Sequence, residues 1–199
     1  MTKAIKITWA IALIMLFPQV HAEKIAEATQ SQESNLSKIL KSSGSLVARE
    51  SYKLSSLSTI SGKDLESEIM IVRSLLNKTG NDIFVGLILK AREKYASKTA
   101  NIDPDEVDGL LSSINLIQKK GASIIDNPSA KSQKAIDIST EIHYRTKDGL
   151  VFAAFKSGGK LKYGIKVSSG ADWALLQDKG VETLKENLIE AKKLAKSLK

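Results

Sequence analysis

The chain has 199 residues, a formal net charge of +8, no cysteine and 5% aromatic residues. Lacking cysteine, it has no disulfide staples, thiol catalysis or thiolate metal sites, and its length allows one domain with a real core or two halves sharing one. The positive excess is nearly all lysine, with arginine only at 49, 73, 92 and 145; a lysine-rich chain is drawn to anionic surfaces rather than built for forked, bidentate readout.

Residues 1–22 have the three-part pattern of a secretory signal peptide. Lys3 and Lys6 make a positive start, Ile7 to Phe17 is an apolar run, and Pro18 breaks it ahead of Val20-His21-Ala22. The run is shorter than the roughly 20 apolar residues that cross a bilayer, and no later segment has the length or purity of a membrane span. Cleavage is expected near Ala22, placing a bacterial protein in the periplasm or outside the cell. Loss of Lys3 and Lys6 lowers the formal charge only from +8 to +6.

Residues 23–45 are polar and Ser/Gln-rich, with a weak apolar set at Ile25, Leu36, Ile39 and Leu40 that predicts a loose helix or a mobile lead-in closed by Gly44. Strand character begins at Leu46. Residues 66–76 and 82–91 are near-continuous apolar runs of strand length, separated by the turn chemistry of Asn77-Lys78-Thr79-Gly80-Asn81, which predicts a hairpin buried on both faces. A helix is then expected: Asp103 is placed to cap free N–H groups, and Pro104 suits the first turn. Val107, Leu110, Leu111, Ile114 and Ile117 form one apolar stripe, and Gly121 is placed as a stop.

Residues 122–137 read as a linker. Strands at 138–146, 150–156, 161–168 and 171–177 follow, separated by Asp148-Gly149, Gly158-Gly159 and Ser169-Gly170 turns. A terminal helix over about 180–198 carries Val181, Leu184, Leu188, Ala191, Ala195 and Leu198 on one stripe. The expected fold class is therefore α+β, with antiparallel sheets and two packed helices. Its expected domains are a leader (1–22), a lead-in (23–45) and one domain (46–199) whose halves, 46–121 and 138–199, repeat a strands-then-helix unit. Val107, Leu110 and Ile114 match Val181, Leu184 and Leu188, and Gly86 and Gly164 each interrupt the strand before. This layout resembles the whirly and PUR-type folds, and the resemblance implies binding of single-stranded nucleic acid. It covers element order over about 46–199, without a shared motif and without binding residues to carry over.

Chemistry-bearing constellations are few. His143, the one histidine after the leader, stands beside Glu141 and Arg145 in an alternating strand; no nucleophile-elbow sequence accompanies it, so it reads as a surface histidine. No metal set is expected from one histidine and no cysteine. Asp103, Asp105, Glu106 and Asp108 lack the spacing of a calcium loop and read as helix capping. No cofactor is expected. Arg145, Lys156, Lys160, Lys162 and Lys166 form a basic stretch opposed by Asp148 alone, with Phe152 or Phe155, Tyr163 and Trp173 nearby. Alternation puts Tyr163 on the face opposite Lys160, Lys162 and Lys166. The expected function is non-catalytic binding of a protein or an anionic envelope component through this sheet face. The alternatives are hydrolysis of an envelope polymer by paired carboxylates and, from the layout, single-stranded nucleic-acid binding. Nucleic acid is not the expected partner, because export takes the chain away from the compartment that holds most of it. The sequence leaves oligomeric state open.

Overall fold

A computed structural model describes residues 33–62, 64–75, 82–92, 96–126, 141–157 and 160–198. The leader, residues 23–32 of the lead-in, the turn at 76–81 and most of the linker lie outside them. Among the described residues the fold is α+β, with two four-stranded antiparallel sheets and three helices.

A short helix, α1 (Asn35–Lys41), comes first, followed by β1 (Val47–Lys53), β2 (Glu66–Ser74), β3 (Ile83–Arg92) and β4 (Ser97–Ile102), paired in that order. Helix α2 (Val107–Asp126) leads to β5 (Glu141–Arg145), β6 (Val151–Ser157), β7 (Lys160–Lys166) and β8 (Ala174–Leu176), also paired in order, and helix α3 (Asp178–Ser197) ends the chain. Both halves thus run through a four-stranded meander into a 20-residue helix. The matched stripe residues Val107, Leu110, Ile114, Val181, Leu184 and Leu188 are all fully buried.

The helices are exchanged between the halves. Helix α2 packs on β5 and β6 of the second sheet, whereas α3 packs chiefly on β3 of the first. One apolar cluster therefore takes Leu87 and Ile102 from the first half together with Phe152 and Leu184 from the second. A sheet face without its helix leaves that cluster open to water, so each half depends on the other for burial.

The segment after β1 joins the sheets edgewise. Leu57 exchanges backbone hydrogen bonds with Leu65, while Ile60 N–H donates to Leu175 C=O (2.8 Å) and Gln177 N–H to Ser58 C=O (3.1 Å). Ser58 passes so close to the start of α3 that a Cβ on Gly180 would lie 2.3 Å from its carbonyl oxygen.

Several expectations are corrected. Where it is described the lead-in is helical, one of the two forms expected, but it is packed rather than loose: Leu36 of α1 is fully buried against Val72 and Ile88 on the outer face of the first sheet. The near-continuous apolar run of β3 has its explanation here, with α1 over one face and α3 over the other. Strand β4 carries only Ala100 and Ile102 inward, too faint an alternation to announce a strand. Helix α2 runs through Gly121 to Asp126, so 122–126 belong to the helix and not to the linker. Gly121 is buried against Leu161, and Ile117 and Ile125 hold the helix on the core to either side. No helix among the described residues is long and apolar enough to cross a membrane.

Candidate functional site

Antiparallel register decides which side chains share the outer face of the second sheet. Directly paired residues project to the same side. Arg145, Val151 and Lys166 form one row, His143, Ala153 and Gly164 the next, and Glu141, Phe155 and Lys162 the third; Ser157 and Lys160 close the hairpin. Arg145, Lys160, Lys162 and Lys166 therefore share one face. At a rise of about 3.3 Å per residue, Lys160 to Lys166 spans roughly 20 Å.

Lys156 does not join them. It pairs with Leu161 on the helix-covered face, and its ammonium reaches Asp126 at the end of α2 (2.5 Å). The reason is period-two alternation: Lys156 has the parity of Phe152 and Ala154, whose side chains fill the core. His143 is half-exposed on the outer face, with its Nδ1 3.4 Å from the Glu141 carboxylate.

The rings divide between the faces. Tyr163 stacks on Phe152 inside the core, with centroids 6.1 Å apart and planes at 15°. Phe155 lies outside with the lysines and meets Trp173 edge to face at 6.5 Å. Both rings rest on Gly164, where a Cβ would stand 3.0 Å from Trp173 Cε3 and 3.2 Å from Phe155 Cε1. Glycine in mid-strand is what lets the indole lie on the backbone, between Lys162 and Lys166 of the same strand. Trp173 keeps 41% of its surface exposed. Alternation along the sequence already took Tyr163 off the lysine face but left Phe152, Phe155 and Trp173 undecided; the parity of Phe155 with Lys162 was the available clue.

The first sheet has the same seat, differently filled. Leu36 of α1 lies on Gly86, with its Cδ2 2.8 Å from a Cβ built there. Helix α1 is fastened by carboxylates from both halves. Asp103 accepts from Asn35 N–H (2.7 Å) and Leu36 N–H (3.3 Å), while Asp148 accepts from Ser34 N–H (2.8 Å), Asn101 N–H (3.3 Å) and the Ser37 hydroxyl. Asp103 thus caps α1 rather than the helix that follows it. The reach-back expected of a capping box is still made, by Glu106 Oε2 to Asp103 N–H (3.1 Å). Asp148, read as a turn residue, sits in the turn before Gly149 (φ +82°) but also serves as this clamp. Burial pushes the Asp148 carboxyl up, but the hydrogen bonds from Ser37, Ser34 and Asn101 outweigh it and leave the group below its ordinary value. Burial raises Glu106 above the usual carboxylate range despite N–H donors from Lys147 and Asp103.

Asp103, Asp105 and Glu106 bring carboxylate oxygens within 4.8 Å of one another. This closeness suits neither a metal nor a hydrolytic pair. The Asp103 oxygens accept from α1, and those of Glu106 from Asp103 and Lys147 N–H. Asp105 is bound by the Lys147 ammonium (2.7 Å), which also lies 3.8 Å from Asp103 and supplies the local positive charge. A general acid–base pair needs a carboxylate free to exchange a proton with substrate, and these are committed to the fold. No protein-family model matches the chain, and no curated protein matches it either.

Proposed function

We propose that this chain is an exported, non-catalytic binding module. The outer face of its second sheet holds an anionic envelope polymer built of sugar rings. The observation that carries the reading is Trp173, lying partly exposed on Gly164 with Lys162 and Lys166 to either side on the same face. An aromatic face packs against the C–H surface of a sugar ring, and flanking ammonium groups draw acidic substituents without demanding a fixed fork geometry. The roughly 20 Å line from Lys160 to Lys166 suits a chain better than a single small anion. The signal-peptide pattern of residues 1–22 supports this reading, since export would bring the protein to the compartment where such polymers occur.

In residues 23–199 Trp173 is the sole tryptophan, so its fluorescence reports the site directly. Titration with polygalacturonate is expected to shift that emission, more strongly at low salt than at high salt. The triple variant Lys160→Glu, Lys162→Glu, Lys166→Glu is expected to bind about tenfold more weakly or worse, since each reversed contact is worth up to about 1 kcal/mol. Unchanged binding in that variant sinks the reading. Tighter binding of oligo-dT than of the polysaccharide transfers it to single-stranded nucleic acid.

A further inference from the structure

Helix α1 is too short to stand alone. Its 7 residues fall below the roughly 12–15 that an isolated helix needs in water, so it persists only through what holds it down. One anchor is apolar. Leu36, Ile39 and Leu40 rest on Val72, Phe84 and Ile88, a cluster on the outer face of the first sheet that shares no residue with the main core. Lifting α1 therefore uncovers this strip without opening the shared core beneath the sheet. The seat itself does not require a helix, because Trp173, from just before β8, fills over Gly164 the place that Leu36 fills over Gly86.

The other anchor is polar and comes from two distant connections. Asp103, between β4 and α2, receives Asn35 and Leu36 N–H, and Asp148, between β5 and β6, receives Ser34 N–H and the Ser37 hydroxyl. When α1 leaves, these donors to Asp148 leave with it and Asn101 stays. The surrounding charges are engaged on every side. The Lys147 ammonium lies 3.8 Å from Asp103 and is paired with Asp105, and Glu106 accepts from backbone N–H groups. Helix α1 brings Lys41, which is paired with Glu33 and feels the Asp148 charge. The last turn of α3 faces Asp103 with Ala195 and Leu198 and carries Lys196.

We propose that α1 is an acid-released strap: neutralising the Asp148 carboxylate frees it from the outer face of the first sheet while both sheets and the shared core stay folded. The direction follows from the clamp. Hydrogen bonds hold the docked Asp148 carboxyl below its ordinary value despite burial. Once Ser34 and Ser37 depart, it returns toward the ordinary value of about 3.9. Docking is therefore at full strength above about pH 4 and weakens as pH falls through the docked value. The sheets and core lose less in acid. Arg92–Glu66, Lys156–Asp126 and Lys192–Asp108 are largely surface pairs that contribute little, and protonation of Glu106 favours the folded state. The strap lies on a different sheet from the face assigned to polymer binding, so neither reading rests on the other.

The test compares opening constants from amide exchange, corrected for the intrinsic rate at each pH, between pH 6 and pH 3. Ile39 and Leu40 report α1, and Ile114 and Leu188, both fully buried, report the shared core. Opening of α1 should rise about tenfold or more over that range and stay about a hundredfold or more above opening of the core. In Asp148→Asn, opening of α1 should already be about tenfold larger at pH 6 and should rise less than about threefold further in acid. Leucine methyl spectra give a second readout: the Leu36 methyls should move toward the position of an unpacked side chain in acid while those of Leu184 hold theirs. The proposal is overturned if α1 and the core open with the same constant, because α1 then leaves only when the whole chain unfolds. It is overturned equally if acid does not raise opening of α1, or if Asp148→Asn leaves that pH dependence unchanged.

Discussion

Two glycines within helices, Gly121 in α2 and Gly180 in α3, should respond to alanine with opposite sign. Alanine is the better helix former by about 0.8–1 kcal/mol, so propensity alone predicts stabilisation at both. At Gly121 the new methyl would lie 3.6 Å from Ile117 Cγ2 and Leu161 Cδ2, ordinary contact that adds apolar burial. The expected gain is about 1–1.5 kcal/mol, or a melting temperature higher by about 4 °C for a chain of this size. At Gly180 the methyl would meet backbone: Ser58 O at 2.3 Å and Ser58 N at 3.2 Å. Ser58 cannot yield cheaply. Its carbonyl accepts from Gln177 N–H, and the neighbouring Ile60 N–H is bonded to Leu175 C=O. Moving it by about an ångström combines overpacking of about 1–3 kcal/mol with the loss of one or two hydrogen bonds near 1 kcal/mol each. After the helix gain is subtracted, Gly180→Ala should still cost about 2–3 kcal/mol and lower the melting temperature by about 8 °C. Urea and thermal unfolding followed by circular dichroism at 222 nm measure both. If Gly180→Ala stabilises the protein as Gly121→Ala does, Ser58 does not sit on α3 and the edgewise join of the sheets is wrong.

Asp148→Asn should destabilise the protein by about 1–2 kcal/mol at neutral pH, the value for charged hydrogen bonds reduced for partial exposure. Because the folded Asp148 carboxyl lies below its ordinary value, this contribution is full above the unfolded value near 4. It is lost as pH falls through the folded one, so the stabilities of variant and parent should converge in acid. Glu106 works in the opposite direction. Its folded value is raised, so protonation favours the folded state, and stability from this group declines as pH rises from about 4.3 through the folded value; urea titrations across pH 2–7 separate the two. The exchange of helices predicts that fragments 23–132 and 133–199 will each fail to unfold cooperatively alone and will form a folded 1:1 complex when mixed. A cooperative melt from either fragment by itself would contradict the shared core.

Where local chemistry dominates, the sequence is a good guide. The stripes of α2 and α3, the tight turn ending at Gly149 and the alternation of β7 all follow from periods of 3.6 and 2, properties of the backbone alone. Matched stripes and matched strand glycines even make the repeated order of elements visible. Parity along β7 is enough by itself to put Lys160, Lys162 and Lys166 on one face and Tyr163 on the other. Strand β4 escapes notice because an edge strand with two inward residues carries almost no periodic signal.

What the tertiary structure alone decided concerns partners distant in the chain. Periodicity shows that a stripe will be buried but not against which sheet, so it is silent on α2 covering the second half and α3 the first. Asp103 has the credentials of a cap for the helix that follows, yet the free N–H groups it meets belong to Asn35 and Leu36, brought to it from 68 and 67 residues away. Lys156 and Lys162 differ only in parity relative to a hairpin. That difference sends one to Asp126 and leaves the other beside Trp173. Among the described residues β4 pairs with β3 only from Leu87 to Arg92 and turns away at Pro104, so the start of β3 has no paired strand on that side, a gap that no run of residues spells out.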